Sequence, residues 1–246
     1  MSNSVTSEGA TSAIDVDIVL ISNSSSEQSR LVTKNCITSL NGRGETMLFN
    51  FHVFVVESID NVNYRHPIVT MVHPIEPFGY HKYLNIGRKA GTSDYVCLCN
   101  NDLVFESGWA TAMVTQMESD NLYSACPLDP SYHPKREIHA NTGNISGYRI
   151  GGEMAGWCIF QKRAIYDLIG DLDEDFTFWY ADNDYARTLK SYGIEHKLIT
   201  SSLVTHLGSQ TLLQLDPLEQ GDMCQSQLAT YQNKWGEMNP WIEYLM

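Results

Sequence analysis

Residues 15–22 (DVDIVLIS) form a short apolar, β-branched run, the pattern of a buried strand. Serines and Glu27 follow, and they favour a helix start. The pattern predicts a helix to about Leu40, broken by Asn41-Gly42-Arg43-Gly44. Further apolar runs at 51–56 (FHVFVV), 68–72 and 95–99 (YVCLC) predict three more strands. Between the last two, residues 80–89 can be helical, ending at Gly91. Strands alternating with helices at this spacing predict an α/β domain with a mostly parallel, Rossmann-like sheet and helices on both faces. Ligands in such sheets bind beyond the carboxyl ends of the strands. The polar residues just after each strand are therefore the first candidates: Ser22 and Asn23, Glu57 and Ser58, and Asn100 to Asp102.

The second half is less regular. Residues 128–152 hold turn formers and little periodicity, which predicts a long loop or a pair of edge strands. Residues 153–160 are apolar, 163–169 look helical, and 182–192 read as a helix closed by Gly193. A polar C-terminal helix is expected over 213–234. With no internal repeat and no linker, the expectation is a single domain over 14–210. A disordered Ser/Thr-rich tail at 1–13 precedes it, and a helical extension at 211–246 follows, packed on the acceptor side.

Composition narrows the classes. A chain of 246 residues is ample for a sizeable core. No apolar run approaches the roughly 18 residues that span a bilayer. The N-terminus lacks the basic and apolar regions of a signal peptide, so a cytoplasmic protein is expected. The six cysteines show no C-x-x-C pair and mostly sit in apolar runs, so reduced thiols are expected. A net charge of −13 repels nucleic acid and anionic membranes at long range. Such a chain needs help to hold phosphate, and a divalent cation supplies it.

Three segments carry candidate chemistry. In Leu98-Cys99-Asn100-Asn101-Asp102-Leu103 a buried strand delivers two amides and a carboxylate to its carboxyl end. Mg²⁺ and Mn²⁺ take such oxygen ligands together with substrate phosphates. Asn100 can offer an amide oxygen or donate to a ribose; an ordinary Asn/Asp turn is the competing explanation. In Phe178-Trp179-Tyr180-Ala181-Asp182-Asn183-Asp184 aromatic residues lead into two carboxylates at a helix start. Capping explains one of them and leaves the other for acid–base work. In Val204-Thr205-His206-Leu207-Gly208 a strand-like run ends in a histidine, a residue type more often structural than metal-ligating.

In this order, the three segments resemble glycosyltransferase family 2. Leu98 to Asp102 is similar to the family's L-x-N-N-D form of the D-x-D motif. Gly156 to Arg163 resembles its glycine, apolar run and basic pair, and Ile169 to Phe176 its I-G-x-x-D-E-x-F. His206 falls 24 residues after Asp182, where the family has a metal-binding histidine. Val55 to Ser58 resembles V-V-D-N, and Asn85-Ile86-Gly87 resembles N-x-G. The chain departs from the family at Ala181, which replaces the first acid of the acidic pair. It also departs at Glu57, which replaces a nucleobase-reading aspartate, and at Asn100, which replaces the first acid of the metal motif. Pro77 and Leu84 stand where a phosphate contact often lies, and Lys82 or Arg88 are the candidates to compensate.

The resemblance implies the GT-A fold and an inverting, metal-dependent hexosyl transfer from a nucleoside-diphosphate sugar, UDP-linked by preference, to an acceptor hydroxyl. It implies Mn²⁺ or Mg²⁺ held by Asp102, His206 and Asn100. It implies a donor bordered by Ser22, Asn23, Glu57, Asn85, Asn100 and Asn101. Asp182, with Asp184 beside it, would take the acceptor proton, and Trp157, Trp179 and Tyr180 could form the sugar platform, with core packing the competing explanation, above all for Trp157. The acceptor stays open among a glycan, a lipid-linked sugar and protein. The alternatives are a catalytically weak or inactive sugar- or nucleotide-binding module, and a glycosyltransferase acting on modified DNA, which the acidic balance disfavours.

Overall fold

The computed structural model describes residues 12–40, 45, 47–208 and 217–236. Most of the expected N-terminal tail, the 41–44 break and residues 211–216 and 237–246 of the expected C-terminal extension lie outside the described residues. The chain runs β1 (Ile14–Ser22), α1 (Glu27–Ser39), β2 (Phe49–Glu57), β3 (Val69–Val72), α2 (Tyr80–Ala90) and β4 (Tyr95–Asn100). Then come β5 (Leu103–Phe105), α3 (Trp109–Ser119), β6 (Ser124–Leu128), β7 (Ile145–Ser146), β8 (Cys158–Lys162), α4 (Ile165–Ile169), α5 (Ala181–Ser191), β9 (His196–His206) and α6 (Pro217–Trp235).

The sheet has the order β3-β2-β1-β4-β8-β6-β9-β5, with β7 pairing to β9. β3, β2, β1 and β4 are parallel; β8 is antiparallel to both β4 and β6. β6 and β9 are parallel, so β8 alone opposes the main run from β3 to β9. Successive side chains of a strand point to opposite faces. In β1, Val16, Ile18 and Leu20 enter one core with Cys36 of α1 and Trp109 and Met113 of α3. Val19 enters the other with Leu84 of α2 and Tyr185 and Leu189 of α5. Helices therefore cover both faces, and the four predicted strands of the first half are all present.

The Asn85-Ile86-Gly87 segment explains how α2 sits so low on the sheet. A Cβ at Gly87 would run into Val19 and lie 2.7 Å from Val56 Cγ2. Glycine permits the close approach. Residues 128–152 are the expected long loop, with one 3₁₀ turn at His133–Arg136 and the short β7. All six cysteines are free, and five are buried in the core. Among the described residues no helix is long and apolar enough to cross a membrane.

Candidate functional site

β5 and β9 form an antiparallel ladder in which Leu103 faces His206, and the Leu207 N–H donates to the Asp102 carbonyl at 2.9 Å. This ladder brings Asp102, two residues beyond the end of β4, against the last residue of β9. His206 Nε2 stands 3.2 Å from Asp102 Oδ1. Apart from this contact with each other, neither atom has a hydrogen-bond partner among the described residues, although both are buried. Two ligands at cis positions of an octahedral cation, each about 2.1 Å from it, stand about 3 Å apart. The pair therefore fits a divalent cation by separation, by chemistry and by its unspent ligand atoms. Among the described residues no group of three or more His, Cys, Asp or Glu side chains is placed to hold a metal ion. Substrate phosphates, water and an amide oxygen would have to complete the shell, as they commonly do for Mg²⁺.

Two residues hold this histidine. Trp157 stacks on its ring, with centroids 5.4 Å apart and planes 15° from parallel. Asp129, buried at the end of β6, accepts the His206 backbone N–H through Oδ2 at 3.1 Å. Its Oδ1 accepts from the Ser131 N–H and hydroxyl, both at 2.7 Å. Sequence reasoning missed Asp129, because its partner lies 77 residues away and no local pattern marks it. Trp157, a candidate for the sugar platform, stacks on His206 and stays partly exposed.

Asn100 closes β4, and the Tyr80 hydroxyl lies 3.1 Å from its Oδ1 and 2.9 Å from the Gly156 carbonyl oxygen. Gly156 also abuts Asp182: a Cβ there would lie 2.7 Å from Asp182 Cβ. The Tyr80 phenol is pushed above its ordinary value, first by burial and next by the charges of Asp182, Cys99 and Asp102. These contacts join Asp102, Asn100, Tyr80 and Asp182 into one site. Burial also raises the Asp182 carboxyl, opposed by backbone N–H groups that favour the charged form. A half-buried carboxylate with a raised pKa is the group a general base requires.

At β2, Glu57 is buried, and its Oε1 accepts from the Ser24 and Ile59 N–H groups, each at 2.9 Å. Its Oε2, also buried, has no hydrogen-bond partner among the described residues. Asn23 is exposed on the loop after β1. Of the donor candidates, Asn23 and Asn100 keep exposed surface, whereas the unpartnered Oε2 of Glu57 is buried.

The structure does not bring the remaining candidates to the site, and each has a physical reason. The Ser22 hydroxyl points into the protein, 3.0 Å from the Ser24 hydroxyl and 3.2 Å from that of Thr33. The Asn101 amide donates to Thr33 at 2.7 Å and to Ser22 at 3.4 Å. Asn85 donates to the Leu172 carbonyl at 2.8 Å and accepts from the Leu172 N–H at 3.1 Å, tying α2 to the 171–174 loop. Arg88 stacks on Tyr166 at 3.7 Å and pairs with Asp171, so it serves the fold rather than a phosphate.

Asp184 lies two residues beyond Asp182, on the other side of α5. Its carboxylate accepts from Trp235 Nε1 at 2.7 Å and pairs with Lys234 at 2.8 Å. It thus fastens α6 rather than facing Asp102. Tyr180 starts α5 with φ of +61° and is buried against Tyr231 of α6, with ring centroids 5.7 Å apart. Of the expected aromatic platform, Trp157 and Trp179 keep partial exposure, and the buried Trp179 indole N–H has no hydrogen-bond partner among the described residues.

No protein-family model matches the chain, and no curated protein matches it in sequence. Its structure is similar to that of GalNAc-T7 solved with UDP, GalNAc and Mn²⁺. The TM-score is 0.59 at 12% identity, over 79% of this chain and 43% of that one. This chain thus matches less than half of that protein's length. The likeness gives the fold: an α/β, GT-A-like sheet flanked by helices.

Proposed function

We propose that the chain is a metal-dependent glycosyltransferase that moves a sugar from a UDP-sugar to an acceptor hydroxyl with inversion. The observation that carries the reading is the facing pair of unspent ligand atoms, Asp102 Oδ1 and His206 Nε2, at the carboxyl end of the sheet. GalNAc-T7, on a similar fold, was solved with UDP and Mn²⁺. Asp102 and His206 would hold the cation; the chemistry it supplies when bound is neutralisation of the departing diphosphate. Glu57, at the position of the family's nucleobase-reading acid, keeps one buried acceptor oxygen without a partner among the described residues; a small opening of the Ser24 loop would present it to the single imino N–H of uracil. Asp182 takes the proton of the acceptor hydroxyl. Attack by that hydroxyl forms the new bond at the anomeric carbon as the diphosphate leaves from the opposite face. The proton ends on the Asp182 carboxylate, and no protein nucleophile is required.

Asp182 fills the base role alone. Ala181, which stands at the place of a family acid, is buried against Tyr180 and Tyr231. The reading is tested by incubating the chain with a panel of UDP-sugars, simple glycosides and Mn²⁺, and following UDP release. Metal-dependent release with at least one sugar is expected, with the product's anomeric configuration, read by NMR, opposite to the donor's. Tight, metal-dependent UDP binding without turnover of any sugar would favour a nucleotide-binding module instead.

A further inference from the structure

Tyr80 opens α2 and reaches the end of β4, where its hydroxyl faces two acceptors: the Gly156 carbonyl at 2.9 Å and Asn100 Oδ1 at 3.1 Å. A phenol carries one proton, and a carbonyl can only accept. With the amide in that orientation, one of the two oxygens goes without a proton. The Asn100 NH₂ group meanwhile makes no hydrogen bond among the described residues. The oxygen and nitrogen of an amide have nearly the same shape, and the hydrogen-bond network decides between them. Turning the Asn100 amide over gives the phenol, the Gly156 carbonyl and the Asn100 NH₂ a partner each, and leaves the amide oxygen free. Its NH₂ donates to the phenol oxygen, the phenol donates to Gly156, and the amide oxygen faces away from Tyr80. Asn100 is partly exposed and stands at the end of β4, two residues before Asp102, so its outward atom is open to a ligand there.

We propose that Tyr80 is a positioning residue: anchored on Gly156, it holds Asn100 with its amide oxygen turned outward, as a neutral oxygen ligand for the cation of Asp102 and His206. The proposal rests on the metal-dependent reading above and adds to it the atom that Asn100 presents. The ligand set becomes one carboxylate, one imidazole and one amide oxygen. It carries one negative charge where two acids would carry two. Tyr80 itself touches neither cation nor substrate. Its ring packs edge-on against Phe178, with centroids 6.2 Å apart, so Tyr80→Phe removes the hydroxyl and keeps the packing.

Mn²⁺ binding without nucleotide, read by the electron paramagnetic resonance signal of the free ion, tests this on the full chain. The set is the parent chain, Tyr80→Phe, Asn100→Ala and the double variant. Losing an orienting partner of a metal ligand typically costs about 10–100-fold in affinity. Each single substitution is therefore expected to weaken Mn²⁺ binding by about tenfold. The double variant is expected to bind no more weakly than Asn100→Ala, because Tyr80 acts through that amide. Unchanged or tighter binding by Tyr80→Phe would overturn the proposal, as would a Tyr80→Phe loss that persists in full beside Asn100→Ala. A parent chain that binds no Mn²⁺, even with UDP present, would overturn the metal-dependent reading itself.

Discussion

Asp182 and Asp184 have the same side chain and are two positions apart, yet they face different tasks. On a helix, positions i and i+2 point to different sides. Asp182 abuts Gly156 and its charge bears on the Tyr80 phenol, whereas Asp184 is tied to Lys234 and Trp235. Asp182→Asn keeps the shape and removes the proton acceptor. It is expected to lower kcat by about 10²–10⁴-fold while UDP affinity in a calorimetric titration stays within a few-fold. The parent chain's rate is expected to fall as pH drops through the Asp182 titration. Because burial raises that pKa, the fall is centred above the ordinary carboxylate value. Asp184→Ala leaves the Trp235 N–H and the Lys234 ammonium without this partner. It is expected to cost about 2 kcal/mol of stability, seen as a lowered Tm, with a smaller effect on kcat than Asp182→Asn. A large kcat loss with unchanged Tm would reverse the two roles.

Elements decide which motif residues reach the site. The strands of the first half were legible as short, mostly apolar runs; β1 and β4 are buried on both faces, while β3 at the sheet edge is only partly buried. α3 and β6 were not, because Trp109 to Leu128 mixes apolar, polar and turn residues without one clear period. The N-x-G segment was read as a donor contact, but its residues serve packing: Gly87 lets α2 settle on β1 and β2, and Asn85 ties α2 to Leu172. Gly87→Ala is therefore expected to destabilise the fold by about 1–3 kcal/mol through overpacking. Denaturant unfolding checks this; an unchanged midpoint would mean that α2 shifts at no cost. The same limit explains Ser22 and Asn101. A strand-end position gives the polar residue but not its direction, and both side chains turn inward to Thr33.

At the scale of the molecule, the site depends on pairings between distant segments. His206 meets Asp102 through the β5–β9 ladder, and Asp129 and Trp157 then fix the histidine from two further elements. The order of motifs placed these residues near one strand edge; only the ladder places their ligand atoms 3.2 Å apart. An acidic molecule of net charge −13 offers little cationic surface to hold a diphosphate. The account therefore assigns that work to a divalent cation at Asp102 and His206. The most direct measurement is a calorimetric titration of UDP into the chain with Mn²⁺ and again with EDTA, repeated on Asp102→Ala. UDP is expected to bind about tenfold or more tightly with Mn²⁺, and Asp102→Ala is expected to abolish the difference. Equal UDP affinity in both conditions, or a Mn²⁺ effect that survives Asp102→Ala, would contradict it.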